Sequence, residues 1–302
     1  MNIKPNKLNL HDNVSIIAPC FAMEQSEQIV VKESLKKLGL NPVFGKNVLK
    51  KSLGFSATAE ERADDFNQAI KDDSIKMILF DGGEVSNEIL PLIDYQAVIN
   101  HPKIICSYSD STSVLNAVSA NTGLVTYYGQ SYRSTLYSDY NTCWFTSAFF
   151  GTDIPKYLPS EEFKTIYPGK ASGELIGGYL LNFALITCSS YFKFDKNKSY
   201  ILFLEDNICF NGPAAVSRYL NHIAQSEFFC NVSGLLIGYY SAEKVEEFDN
   251  LILRFAAEHK LPCLKCDSFG HCDNQAIIPL GIEATLDADN RKVIFEETFT
   301  TD

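Results

Sequence analysis

The chain contains no apolar run approaching the ~20 residues that a membrane-spanning helix needs. Its polar opening, MNIKPNKLNLHDN, has neither the apolar stretch nor the small-residue cleavage site of a secretory signal. Both absences point to a protein that stays in the cytosol. Runs of Lys or Arg are missing too. With 26 basic against 37 acidic residues the formal charge is −11, a field that repels nucleic acid and other phosphate-rich partners. Internal repeats and low-complexity tracts are also lacking, which excludes a solenoid or a disordered array. Histidine is scarce, at five residues. Four of them, His11, His101, His222 and His259, lie in polar loops or at helix ends, which singles out His271 for chemistry.

Cysteine, by contrast, is plentiful: nine residues, an odd number, several inside apolar runs such as Cys106 in KIICSY and Cys188 in ALITCSS. A free cysteine behaves there as a small buried hydrophobe, and a reducing cytosol keeps all nine as thiols. At 46% hydrophobic and 21% charged residues, the chain can build a sizeable core without a metal or disulfide. Its 302 residues suit one large α/β domain or two medium ones.

Over the first ~130 residues strand and helix patterns alternate. VSIIAP (14–19), IKMILF (75–80), KIICS (103–107) and VTYYG (125–129) read as buried strands. Between them Val31, Leu35 and Leu38 share a helical face that Gly39 stops. Thr58-x-x-Glu61 is a capping box ahead of the Ala63, Phe66, Ile70 stripe, and a helical pattern runs from Asp110 to about Ala120. This rhythm predicts a parallel sheet covered by helices, with ligands outside the C-terminal strand ends. We therefore expect a nucleophile-bearing α/β domain over 1–135. A connecting segment follows over 136–172, rich in Tyr, Ser, Thr and Pro with one helix near 138–149. A smaller second α/β domain covers 173–302. In that second domain GELIGGYLLNFALITCSSYF (173–192) reads as a Gly-rich turn leading into an apolar helix. SYILFLED (199–206) and GLLIGYY (234–240) read as strands, 213–226 and 242–259 as helices, and 277–295 as short antiparallel strands.

Four features can carry chemistry, each with a plainer alternative. Ser109, in Cys-Ser-Tyr-Ser-Asp-Ser, follows a buried strand and precedes a helix, the turn that exposes a nucleophile; it could equally cap that helix. The flanking small residues are Ser107 and Ser111, where such turns usually carry Gly. His271, in Phe-Gly-His-Cys-Asp-Asn, lies on a turn-rich loop and suits proton transfer or a structural hydrogen bond. Glu205 ends the strand ILFLED, placed to orient an imidazole or simply to meet solvent. Asp206 is expected on the opposite face by the strand pleat. Gly82-Gly83 allow close backbone approach to a ligand, or make a tight turn. A rival constellation, Cys263-x-x-Cys266 with His271 and Cys272, resembles a zinc-site fragment, but no second pair follows at matching distance.

Taken in order, IKMILFDGGEVSNEILPLIDY, KIICSYSDSTSVLNAVSANTGLVTYYG, GELIGGYLLNFALI, YILFLED and FGHCDNQAIIPLGIEATLDAD resemble the successive motifs of the LD-carboxypeptidases, which include the microcin C self-immunity peptidases. The resemblance runs from about Val14 to Asp289. It implies an α/β fold, with a flavodoxin- or Rossmann-like N-terminal domain carrying Ser109 as nucleophile. A C-terminal α/β domain would carry His271 as general base and Glu205 as its orienting acid, with the site in the groove between the two. It also implies an oxyanion hole from the backbone N–H groups of Gly83 and Asp110, substrate contacts near Gly82 and Tyr179, no metal or cofactor, and a homodimer. Three departures bear on substrate choice: Ser107 where relatives usually have Gly, Asp81 where the cell-wall enzymes often carry Arg, and Tyr179 where relatives often have Asn. Asp81, the SNEILPLIDY continuation and the Tyr/Ser-rich segment after Gly129 lean toward the microcin-immunity branch. Yet the sole tryptophan, Trp144, lies in the helix expected near 138–149, and the rest of the connecting segment holds none to stack on a nucleobase. The expected activity is hydrolysis of an amide, in a murein tetrapeptide or in a peptidyl- or aminoacyl-adenylate-like compound. The alternative is an inactive peptide- or small-molecule-binding protein on the same fold.

Overall fold

A computed structural model describes residues 2–240 and 245–302. Two sheets organise them. The first is built from β1 (Asn13–Ile16), β2 (Asn41–Phe44), β3 (Ile75–Leu79), β4 (Ile104–Ser107), β5 (Thr126–Tyr128) and β11 (Ile278–Leu280), in the order β11-β5-β4-β3-β1-β2. Strands β1 to β5 pair in parallel. Their order, 2-1-3-4-5, is the flavodoxin-like winding, whose ligand crevice opens outside the strand ends between β1 and β3. Helices α1 (Gln25–Lys37), α2 (Ala59–Lys71), α3 (Tyr95–Asn100) and α4 (Thr112–Thr122) make the crossovers.

Local sequence accounts for these helices. Thr58 Oγ1 accepts from Glu61 N–H while the Glu61 carboxylate accepts from Thr58 N–H, the reciprocal cap expected for α2 and a contribution of about 1 kcal/mol. Ala63, Phe66 and Ile70 are buried as that pattern predicts. Strand β2 has no counterpart among the strands expected from sequence. It is a half-exposed edge strand containing Pro42, so it shows neither a buried run nor clean alternation.

The second sheet runs β13-β12-β7-β8-β9-β10-β6. Its parallel centre is β7 (Lys170–Tyr179), β8 (Tyr200–Glu205), β9 (Val232–Ile237) and β10 (Cys263–Lys265). Antiparallel strands β12 (Glu283–Asp287), β13 (Lys292–Phe295) and β6 (Lys164–Tyr167) flank it. Helices α6 (Leu180–Ile186), α7 (Pro213–Ala224) and α8 (Val245–His259) cover it. The start of the helix expected from residue 242 falls outside the described residues.

Two expectations need correction here. The Gly-rich stretch from 173 is no turn; it is most of the ten-residue strand β7, and the helix begins only at Leu180. Glycine is unfavourable inside strands, but here the neighbours leave no room for anything larger. A Cβ on Gly177 would sit 1.8 Å from the Phe203 carbonyl oxygen, and one on Gly178 would sit 2.4 Å from Thr112 Oγ1. The C-terminal strands are antiparallel as expected, but they divide between the sheets: β11 extends the first and β12–β13 the second. The segment before β6 holds α5 (Asp139–Phe149), whose Trp144, Phe145 and Phe149 are buried in the core.

The halves are bonded to each other where α4 meets β7. Asn116 Nδ2 donates to the Gly177 carbonyl at 2.9 Å, and Tyr179 N–H donates to Thr112 Oγ1 at 2.9 Å. The missing side chains of Gly177 and Gly178 thus let the helix that follows Ser109 lie directly on the strand that precedes Tyr179.

Candidate active site

Ser109 sits between β4 and α4, and its backbone is left-handed, with φ of +61°. A non-glycine residue in that region is strained by about 1 kcal/mol or more, and such turns lift a side chain clear of the sheet edge. Neighbours hold the conformation. Ser109 N–H donates to Tyr128 Oη at 3.0 Å, and Thr112 Oγ1 donates to the Ser109 carbonyl at 2.7 Å. Gly82 lies against the serine: a Cβ there would fall 2.7 Å from Ser109 Cβ, so only glycine fits. Ser107 Oγ bonds the Phe80 carbonyl at 2.9 Å and Ser111 Oγ at 2.8 Å, tying the end of β4 to the chain leaving β3. The hydroxyl at position 107 therefore braces the turn.

Ser109 Oγ lies 2.9 Å from His271 Nε2, and His271 Nδ1 lies 2.8 Å from Glu205 Oε2. Three residues far apart in sequence are thus strung in one hydrogen-bonded line. Glu205 is buried at the end of β8, where Oε2 also accepts from His271 N–H at 3.2 Å and Oε1 accepts from Tyr128 Oη. The Phe-Gly-His sequence has a steric basis, because a Cβ on Gly270 would lie 2.5 Å from the Glu205 carboxyl group. Tyr108, Tyr179 and Phe210 pack around the imidazole, with ring centroids 5.3, 5.1 and 5.5 Å from its own.

Burial by these rings pulls the His271 pKa down, but the charge and hydrogen bond of Glu205 outweigh it, so the net shift is upward from 6.5. Asp206 turns away from the imidazole. Its Oδ1 accepts from Asn207 N–H at 2.7 Å and Asn211 Nδ2 at 3.0 Å, and Asn211 Nδ2 also reaches Tyr179 Oη at 2.8 Å. Burial raises the Asp206 pKa to about 7, so a second group close to His271 titrates near neutrality.

Beside Ser109 lies a cavity of 520 Å³ that Gly83, Asp110, Tyr179, Asn182 and Phe210 help to line. Among the described residues the N–H groups of Gly83 and Asp110 have no hydrogen-bond acceptor. The Asp110 carboxylate is fully engaged, by Asn182 Nδ2 at 2.7 Å and by Ser86 N–H at 2.7 Å.

Two residues of this network escaped the sequence reading. Tyr128 bridges the backbone of Ser109 to the carboxylate of Glu205, yet in VTYYG it looks like another buried strand residue. Asn182 did leave a signal, as the one amide in the apolar run YLLNFALI. Asp81 pairs with Arg133 at 2.6 Å, and Arg133 also holds Glu27 at 2.6 Å. Trp144 packs against Tyr157 and Phe295 in the core. The nine cysteines are free thiols. Cys263 and Cys266 are buried near β10, Cys272 Sγ reaches the Asn274 carbonyl at 3.1 Å, and both ring nitrogens of His271 are engaged as above. Among the described residues no three His, Cys, Asp or Glu side chains are grouped to hold a metal ion.

A flavodoxin-like sheet joined to a second mixed α/β sheet, with a serine–histidine–glutamate line between them, defines a two-part α/β protein of hydrolase type. Residues 14–129 match the LD-carboxypeptidase N-terminal domain and residues 172–286 the LD-carboxypeptidase C-terminal domain. The chain belongs to the LD-carboxypeptidase family. It is 28% identical to a Bacillus subtilis protein named "probable murein peptide carboxypeptidase", over 98% of this chain and 95% of that one. It is also 28% identical to the microcin C7 self-immunity protein MccF of Escherichia coli, over 88% and 87%. Among solved structures, an MccF-like protein from Bacillus anthracis superposes with a TM-score of 0.90 at 27% identity, covering 98% of this chain and 99% of that one. Family and relatives together support a hydrolase of the carboxypeptidase or MccF type. Among the described residues no helix is long and apolar enough to cross a membrane.

Proposed function

We propose that this chain is a serine carboxypeptidase or amidase in which Ser109 is the nucleophile, His271 the general base and acid, and Glu205 the residue that orients His271. The observation that carries the reading is the continuous line Ser109 Oγ–His271–Glu205, at 2.9 and 2.8 Å. Ser109 Oγ attacks the amide carbonyl carbon as its proton passes to His271 Nε2. The oxyanion of the tetrahedral intermediate is received by the N–H groups of Gly83 and Asp110, the latter at the start of the helical run into α4. His271 then protonates the leaving amine, the C–N bond breaks, and an acyl-serine remains. Water, deprotonated by the same imidazole, releases the acid and regenerates Ser109.

The proposed substrates are the L,D-peptide bond of a murein tetrapeptide or a peptidyl- or aminoacyl-nucleotide of the microcin C type. Gly82 and Tyr179 would contact them, and the enzyme would act in the cytoplasm as a homodimer. Relatives carrying murein peptide and microcin names support both substrate classes. The test is direct. A murein tetrapeptide and an aminoacyl sulfamoyl adenylate are assayed side by side, and the reading requires turnover of at least one, lost in Ser109→Ala. A protein that binds either compound without cleaving it would be a binding protein on this fold.

A further inference from the structure

Between β10 and β11, over residues 266–277, the chain forms neither helix nor strand, and this stretch carries His271. Such a loop has no ladder of backbone bonds to fix an imidazole to within about 0.5 Å. Three buried amide side chains supply the bonds instead. Gln275 Nε2 donates to the Gly270 carbonyl at 2.8 Å, closing the loop on itself around His271. Asn141 reaches the same loop from α5. Its Nδ2 donates to the Asp273 carbonyl at 3.0 Å, and its Oδ1 accepts from Gln275 N–H at 2.7 Å. Gln130, just after β5, donates from Nε2 to the carbonyls of Gln275 at 2.9 Å and Asn141 at 2.7 Å. The backbone at positions 270, 273 and 275 is thus held by side-chain amides on both sides of His271. Because all three amides are buried, water does not compete for these bonds.

The network is an expensive way to stabilise a fold. Among the described residues the amide oxygens of Gln130 and Gln275 are buried without a hydrogen-bond partner, a loss that an apolar side chain of similar volume would not incur. What the amides provide and hydrocarbon does not is direction, since a hydrogen bond constrains angle as well as distance. We propose that Gln275, Asn141 and Gln130 are positioning residues that hold the His271 imidazole in line between Ser109 Oγ and Glu205. Helix α5, in a segment expected only to connect two domains, thereby acts on the site through Asn141. The inference rests on the reading of His271 as general base.

The experiment uses Gln275→Met and Gln130→Met, which roughly keep the volume and remove the donors. Loss of one such hydrogen bond corresponds to about three- to tenfold, so each variant lowers kcat by that factor while KM stays within about twofold of wild type. The double variant loses less than the product of the two, because both act through one loop. Asn231→Ala is the control for lost stability. It removes two donors at the start of β9, the end of the sheet opposite Glu205, and leaves kcat per folded molecule unchanged. A readout that needs no substrate is the low-field proton resonance of His271 Nδ1–H bonded to Glu205, sharp in the wild type and broadened in Gln275→Met. If the unfolding midpoint falls while kcat per folded molecule and this resonance match the wild type, the amides are merely structural and the proposal is overturned. A loss carried by KM alone overturns it too. If the wild type cleaves no substrate, yet its resonance is sharp and that of Gln275→Met is broadened, the amidase reading fails and the positioning of His271 stands.

Discussion

The two sheets bring different kinds of residue to one place. The first contributes Ser109 on a turn that neighbouring sequence dictates: a buried strand, small residues at 107 and 111, and a helix starting at Thr112. The strain at φ +61° is held by bonds to Thr112, three residues on, and to Tyr128 of the next strand. The second contributes Glu205 from a strand end and His271 from a loop, and neither has a fixed place until β7, β8 and Gly270 have packed. The proposed nucleophile is thus positioned largely by its own segment and the proposed acid–base pair by tertiary structure. Tyr128, on the first sheet, reaches across to hold Glu205 and couples the two.

The largest expected effect comes from the nucleophile side. Ser109→Ala lowers kcat by about 10⁴–10⁶-fold, while thermal unfolding shows the midpoint little changed, since one mostly buried hydroxyl is lost and the turn keeps its other bonds. Activity within tenfold of wild type would end the assignment. On the acid side, Glu205→Gln leaves imidazole orientation and tautomer unsupported and costs less, up to about 10⁴-fold. If Asp206→Asn were the damaging change and Glu205→Gln silent, the acid would have been misassigned by one residue.

Tyr128→Phe tests the coupling itself. It removes the donor to Glu205 Oε1 and the acceptor for Ser109 N–H together, and loss of two such hydrogen bonds predicts roughly a ten- to hundredfold lower kcat. A merely structural tyrosine would lower stability and leave kcat per folded molecule unchanged, so kinetics and unfolding are measured on the same preparation.

The smallest effect is a displacement along the pH axis. His271 must be neutral to accept the serine proton, and its pKa is raised in the folded protein, so the fraction able to act grows as pH rises through a value above 6.5. In Glu205→Gln the largest raising influence is gone while burial remains, which moves that limb below its wild-type position. Asp206 titrates near 7 in the same pH range, and Asp206→Asn should simplify the wild-type limb to a single ionisation. Alkylating the thiols should leave the limb in place; its disappearance would point to a cysteine-centred mechanism.

What could be read from sequence follows the same division between the sheets. The strands β1, β3, β4 and β5 and the capped helix α2 were legible because each is decided by a local apolar period or cap. Ser109, Glu205 and His271 could be named individually, but nothing in composition or spacing shows that positions 109, 205 and 271 meet; the resemblance to a family supplied that link. Strand β7 was misread because Gly173, Gly177 and Gly178 look like a turn until the Phe203 carbonyl and Thr112 are seen against them. Strand β11 was assigned to the wrong sheet because its partner, β5, is about 150 residues away in the chain. Tyr128 was invisible as a site residue because its hydroxyl works across a domain boundary while its ring packs like any core aromatic.

The most direct test of the central claim is to label the protein with a fluorophosphonate and locate the adduct by peptide mass mapping. The account predicts one adduct on the peptide containing Ser109, slowed in His271→Ala and absent in Ser109→Ala. An adduct on another serine, or an active wild type that takes up no label while Ser109→Ala still turns over substrate, would contradict it.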